Sequence, residues 1–237
     1  MGHGSPYYTN THIKWQKACR EFISTHLAPY AQEWETEGNV PEHVFEIFSK
    51  HNMLIPNLPA PLPIDLLKSM RINELLGGLR IEDFDYFHFS IYISEMRRPG
   101  VGGPTSSLST GMAYGMPPII TYGSQELQQR LLPDLIRGKK RICIAITEPG
   151  AGSDVANIST SAVKSECGKY YIVNGQKKWS VFYHLQCLNY PLTSSGLPME
   201  FGLIMLRWLS ELEAREPKDS RFLLYPCSII LVSRCAE

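Results

Sequence analysis

The run Ile146-Thr147-Glu148-Pro149-Gly150-Ala151-Gly152-Ser153-Asp154-Val155 decides how this chain of 237 residues is read. An aliphatic strand enters a turn built from small residues. Gly150 and Gly152 are free to take positive φ and leave space for a ligand to reach the backbone. Successive N–H groups in such a turn form an anion-binding concavity. Upstream, Ile142, Ile144 and Ile146 alternate with Cys143, Ala145 and Thr147, the period of a strand that begins near Arg141. Downstream, residues 157–164 and 169–173 read as two more strands joined by a Glu166-Cys167-Gly168 turn. Residues 222–232 are apolar around Pro226 and suit a buried strand returning to this half.

Before the turn the texture is helical. Over residues 11–37, Ile13, Ala18, Phe22, Leu27, Tyr30 and Trp34 recur at steps near the helical period. Asn10 or Thr11 is placed to cap this stretch, Gly38 to end it and Pro29 to bend or divide it. Pro41 suits the first turn of a second helix whose Val44, Phe45, Ile47 and Phe48 face inward. Pro56, Pro59, Pro61 and Pro63 make an ordered or extended connection, and their apolar neighbours favour packing over a proline-motif ligand. Helical character returns in residues 64–76 and 82–98, with Gly77-Gly78 between them. Residues 105–122, rich in Ser, Gly and Met, read as a closely packed helix that Pro117-Pro118 should break. Ser124 then caps a helix with Glu126 in its first turn, a kink expected at Pro133 and an end at Gly138. A helical part thus precedes an antiparallel β part. The fold class is α+β, with a domain over residues 1–138, a partial β domain over 139–237 and no internal repeat.

Composition narrows the function. Lys+Arg and Asp+Glu are 23 each, so no basic excess points to nucleic acid. With 43% hydrophobic and 19% charged residues the chain suits a globular core. Six cysteines form no C-x-x-C pair and the histidines are scattered, so the usual metal spacings are missing and reduced thiols in an intracellular protein are expected. The N-terminus carries no secretory core, Pro6 spoils a near-match to a myristoylation pattern, and the last residues form no peroxisomal signal. Cytoplasm, mitochondrion and peroxisome all stay open. No apolar run approaches the roughly 18 residues of a membrane span.

With Tyr170-Tyr171-Ile172-Val173-Asn174-Gly175-Gln176-Lys177-Lys178-Trp179, the Thr-Glu-Pro…Gly-Ser-Asp turn resembles the flavin-binding core of the acyl-CoA dehydrogenase family. The resemblance also takes in Glu95-Met96, Pro118-Ile119, Tyr122-Gly123-Ser124, Leu132-Pro133 and Gly138. It implies FAD as cofactor and an acyl-CoA thioester as substrate. By motif, Ile144, Ile146 and Thr147 would hold the flavin's pyrimidine edge through backbone groups and the Thr hydroxyl. Ser153 would meet the FAD pyrophosphate and lie near the acyl-CoA, and Trp179 would pack on the isoalloxazine. Glu148, although a carboxylate, reads as structural from its place before Pro149. The wall of an acyl pocket is the sharper alternative to core packing for residues 105–122.

After Trp179 the resemblance fades. The family's aliphatic-then-Thr order is replaced by Ser180-Val181, so Val181 would face the flavin and one hydrogen bond of roughly 0.5–1.5 kcal/mol would be lost. Residues 188–237 match nothing in the family. Its C-terminal helical bundle, which carries the Glu general base, finds no counterpart, so no catalytic residue is assigned. The expectation is FAD-dependent α,β-oxidation of an acyl-CoA, impaired in this chain by that loss. An oxidase that passes electrons to oxygen is a close variant. The contrasting expectation is a non-catalytic FAD- or CoA-binding protein that forms a homo-oligomer or pairs with a full-length relative.

Overall fold

The computed structural model describes residues 6–58, 60–164, 171–175 and 229–234. They fall into two compact units. One comprises the chain up to Ala113 with Pro133–Lys139, and the other comprises Tyr114–Leu132 with the chain from Lys140 on.

The first unit is helical. Helix α1 (Asn10–His26) and α2 (Ala31–Glu37) are separated at Pro29, and Gly38 ends α2 with φ +70°. The buried stripe of α1 is His12, Trp15, Cys19, Phe22 and Ile23. Ile13 and Tyr30, expected inside, are exposed. One residue turns the face of a helix by about 100°, and hydropathy alone passes over the buried His12 and Cys19. Thr9, not Asn10 or Thr11, occupies the N-cap. Pro41 likewise caps α3 (Glu42–Lys50) from outside its first turn, and Val44, Phe45 and Phe48 are its buried residues. The edge of Phe48 meets Phe22 at 5.0 Å between ring centres. The proline-rich connection is ordered: Ile55, Pro56, Asn57, Leu58, Ala60 and Leu62 are buried, and Asn57 Nδ2 donates to the carbonyls of Leu54 and Leu108.

Residues 64–76 do not form one helix. Helix α4 stops after Ile64–Ser69, and Glu74–Leu75 (β1) pairs antiparallel with Leu79–Arg80 (β2). Gly77 and Gly78, both at φ +74°, make that hairpin possible. A Cβ on Gly77 would also meet Ala18 Cβ at 2.9 Å. The 82–98 helix begins later than expected. Helix α5 spans Tyr86–Met96 because Asp85 caps it, accepting the His88 N–H at 3.0 Å.

Helices α1 and α5 hold the core of this unit. Trp15 is 1% exposed, packs edge-on against Phe84 and donates its indole N–H to the His88 carbonyl at 2.9 Å. The buried Tyr92 hydroxyl donates to the Met53 carbonyl at 2.8 Å. Buried Glu95 accepts from Arg20 Nε (3.2 Å) and NH2 (2.7 Å) and from Arg98 NH1 (3.3 Å). Burial alone would raise its pKa, but these hydrogen bonds prevail and hold the carboxyl below its usual range. Cys19 lies beneath, fully buried. Burial first, and the Glu95 charge second, push its thiol far above the ordinary range.

Helix α6 (Gly103–Thr110) takes its cap from α2, whose Glu35 carboxylate accepts the Gly103 N–H at 2.7 Å. Helix α7 (Met116–Tyr122) follows a π-helical turn, Gly111–Gly115. Pro117 and Pro118 do not break the helical run as expected. They stand in the first turn of α7, where a missing N–H costs least. Helix α8 spans Gln125–Ile136 and runs through Pro133. Ser124 Oγ accepts the Leu127 N–H at its start, and Gly138, at φ +68°, marks its end.

In the second unit, β3 (Lys140–Ala145) pairs antiparallel with β6 (Ile229–Arg234), Ile144 opposite Ile230. Ile146 and Thr147 lie past the end of β3, not within it. A Cβ on Gly115 would meet Ile142 Cγ1 at 2.8 Å, so the expected close packing of small residues holds there. Strand β4 (Ser161–Lys164) pairs with β5 (Tyr171–Asn174). Residues 157–160, expected in β4, form a short helical turn at Val155–Asn157 and an extended lead-in. The Glu166-Cys167-Gly168 turn lies outside the described residues. A helical N-terminal part followed by antiparallel strands is the α+β order expected from sequence. No described helix is long and apolar enough to cross a membrane.

Candidate functional site

The turn after β3 is closed at its base and open on its face. Glu148 N–H donates to the Ala151 carbonyl at 2.9 Å, and Ala151 N–H returns a bond to the Glu148 carbonyl at 3.2 Å. Both residues are buried, at 4% and 2% exposure. The Glu148 side chain reaches along the chain. Its Oε2 accepts the Ser159 N–H (2.7 Å) and hydroxyl (2.8 Å), and its Oε1 accepts the Thr160 N–H (3.1 Å). Asn157 Nδ2 donates to the Gly150 carbonyl at 3.2 Å. With both carboxylate oxygens committed to donors, Glu148 holds the turn together and has no lone proton-transfer role to offer.

The opposite face carries Pro149, Gly150, Gly152, Ser153 and Asp154, all exposed. Neither glycine is at positive φ, so conformational freedom is not why they are there. Space is. A Cβ built on Gly150 or Gly152 meets no atom within 4 Å, so these positions present bare backbone outward. Thr147 is half-buried, and neither its hydroxyl nor its backbone bonds to another described residue. The Ser153 hydroxyl is likewise unspent among the described residues. Ile144, within β3, and Ile146, past its end, are half-buried. Trp179, Ser180 and Val181 lie outside the described residues.

The Asn174-Gly175 motif has its own explanation. The β4–β5 register sets Ser161 against Asn174 and so Thr160 against Gly175. A Cβ on Gly175 would overlap Thr160 Oγ1 and come within 2.8 Å of its Cα. Glycine is required there by close approach, next to the residue whose N–H holds Glu148. Ser159 and Thr160 carried no signal in the sequence, because two hydroxyl residues at the start of a strand have many uses.

The turn thus presents bare backbone and hydroxyls outward, groups that can donate to an anion, and is held from behind by a carboxylate. Comparisons with known proteins agree on the kind of protein that carries it. Residues 9–139 match the model of the acyl-CoA dehydrogenase N-terminal domain, and residues 143–182 that of the acyl-CoA dehydrogenase middle domain. The acyl-CoA dehydrogenase apdG of Emericella nidulans is 60% identical over 175 residues, which are 74% of this chain and 40% of that protein. Among solved structures, an acyl-CoA dehydrogenase from Geobacillus kaustophilus superposes with a TM-score of 0.57 at 30% identity, over 75% of this chain and 41% of the other. An acyl-CoA dehydrogenase from Bacillus anthracis, complexed with FAD, shares the fold with a TM-score of 0.57 at 22% identity, over 75% of this chain and 28% of the other. The chain therefore spans well under half the length of these relatives.

Proposed function

The chain belongs to the acyl-CoA dehydrogenase family, and on that footing we propose that the turn after β3 forms one side of an FAD site for the α,β-oxidation of an acyl-CoA thioester. The observation that carries this reading is the open face of the turn. Bare backbone at Gly150 and Gly152 stands beside the hydroxyls of Thr147 and Ser153, which bond to no other described residue, while Glu148 fixes the turn from the buried side. FAD, when bound, supplies an acceptor for the hydride that leaves the acyl β-carbon. This chain's residues bind and orient. Ile144, Ile146 and Thr147 would grip the pyrimidine edge, where fixed donors favour the extra negative charge of a reduced ring. Ser153 would donate to the pyrophosphate and bound the acyl-CoA, and Trp179 would cover the ring system.

No residue among 1–237 is assigned as the base that removes the α-proton. A positioned base is worth a factor of about 10²–10⁴, so a polypeptide of these residues alone should bind flavin and turn over little or no acyl-CoA. Partnering with a second chain, identical or related, is how such a polypeptide would be completed.

The test is a flavin spectrum of purified 1–237 after reconstitution with FAD and removal of the excess. The expected result is a retained flavin band, a raised melting temperature with FAD and acyl-CoA-dependent dye reduction at background. A well-folded chain that retains no flavin would overturn the cofactor assignment. Robust dye reduction would overturn the statement about the base.

A further inference from the structure

Two histidines and one aspartate meet where the N-termini of α1 and α5 come together, and their partners fix their protons. His12 Nδ1 accepts the Thr9 N–H at 2.9 Å, with the Thr9 hydroxyl also at 2.9 Å. Its own proton therefore sits on Nε2, which donates to Asp85, 3.1 Å from each carboxylate oxygen. His88 Nδ1 lies 2.8 Å from Asp85 Oδ1 and 3.3 Å from the Asp85 backbone nitrogen, so the carboxylate is the closer of its two partners. An ionised carboxylate only accepts, so this nitrogen carries a proton as well. His88 Nε2 is left as a bare lone pair, buried and without a partner among the described residues. The two ring centres lie 4.0 Å apart.

His88 has a specific reason to refuse a second proton. On His88 the proton would create a buried N–H at Nε2 with no acceptor. One carboxylate faces both rings, so it balances one positive charge and not two. Asp83, in the turn before α5, is the other acid near His88, and Arg80 already holds it through Nε (2.8 Å) and NH2 (2.7 Å). From α1 and its lead-in, Tyr8 offers His12 only a ring, and the Trp15 N–H is spent on the His88 carbonyl. Phe84 and Phe87 complete the surroundings with rings alone.

We propose that the His12–Asp85–His88 junction is an acid-released latch, closed while the His88 imidazole is neutral and opened by its protonation, freeing the starts of α1 and α5 before the rest of the helical unit. Burial holds the His88 imidazole below its usual range, and the Asp85 hydrogen bond offsets only part of that. The sign follows. As pH falls below the ordinary histidine value, the open state binds protons that the closed state refuses, so closure weakens until His88 is protonated in the closed state too. The same three groups present ligand atoms within 4.8 Å of one another. A cation would need the protons of His12 Nε2 and His88 Nδ1 gone, forcing protons onto His12 Nδ1 and the acceptorless His88 Nε2. The hydrogen-bonding partners therefore favour a latch over a metal centre.

Residue-level hydrogen exchange on the whole chain, between about pH 8 and about pH 5, tests this. After correction for intrinsic exchange, protection of the His12 and His88 amides should fall by up to about tenfold per pH unit below the histidine range, while the Ile23 and Tyr92 amides hold. The double variant His12→Gln with His88→Gln keeps a donor and an acceptor at each third helical position, the residue type usual in capping boxes, and cannot titrate; its protection should be flat. Protection independent of pH in the native chain, or an unchanged slope in the double variant, overturns the latch. Should the double variant fail to fold, ring-proton NMR of the native chain decides: histidine midpoints apart from the midpoint of lost protection overturn it. Stoichiometric zinc binding with the native slope absent does so too.

Discussion

Replacing Glu148 with alanine is expected to cost about 3–5 kcal/mol of local stability and to abolish flavin retention by the chain. The carboxylate accepts three hydrogen bonds, from the Ser159 N–H and hydroxyl and the Thr160 N–H. Bonds to a charged acceptor are worth about 1.5–3 kcal/mol each, though not additively when they share one group. Alanine would leave these donors facing a void and release the reach that ties the turn to the start of β4. Glu148→Gln is the informative companion. Its amide oxygen can accept at one position, but its NH2 must then face another donor, so an intermediate loss is expected. Limited proteolysis across residues 147–160 reads the loop and flavin absorbance reads the site. Wild-type flavin affinity in the alanine variant would show that the turn does not hold the cofactor.

Trp15→Ala should be the most damaging single change in the helical unit. The indole is 1% exposed, lies against Phe84 and Tyr92, and donates to the His88 carbonyl. Truncating a buried Trp costs about 3–5 kcal/mol through lost transfer energy and the cavity left behind. A domain's whole stability is about 5–15 kcal/mol, so at the low end this variant is unfolded at room temperature. Trp15→Phe keeps most of the packing and orphans only the carbonyl, for a loss of about 1 kcal/mol or somewhat more. Urea midpoints of the two variants check the ordering, and equal losses would place the effect in the hydrogen bond rather than in packing.

What was legible in the sequence was local chemistry. Gly38, Ser124 and Gly138 end or begin helices because their backbone or hydroxyl does so wherever the neighbours permit. The alternation that begins at Ile142 gave β3, although the strand ends at Ala145. What failed were readings in which two local signals compete. Residues 64–76 have helical hydropathy, yet Gly77-Gly78 draws the chain into a hairpin and takes Glu74 and Leu75 with it. Pro117-Pro118 looks like a breaker until the π turn before it makes it a helix start. Of the two uses expected of Gly150 and Gly152, positive φ is not taken and empty space is. Least legible was the meeting of His12 with Asp85 and His88. His12 lies 73 residues before Asp85, and its partnership with the Asp85/His88 pair depends on how two helices lie together.

The burial of Cys19 gives the molecule a chronometer. A thiol that is both sealed from solvent and reluctant to ionise reacts with an alkylating reagent only during excursions that part α1 from α5. Mass-spectrometric readout of its modification against time would thus report how often that seam gapes, without any label being engineered in.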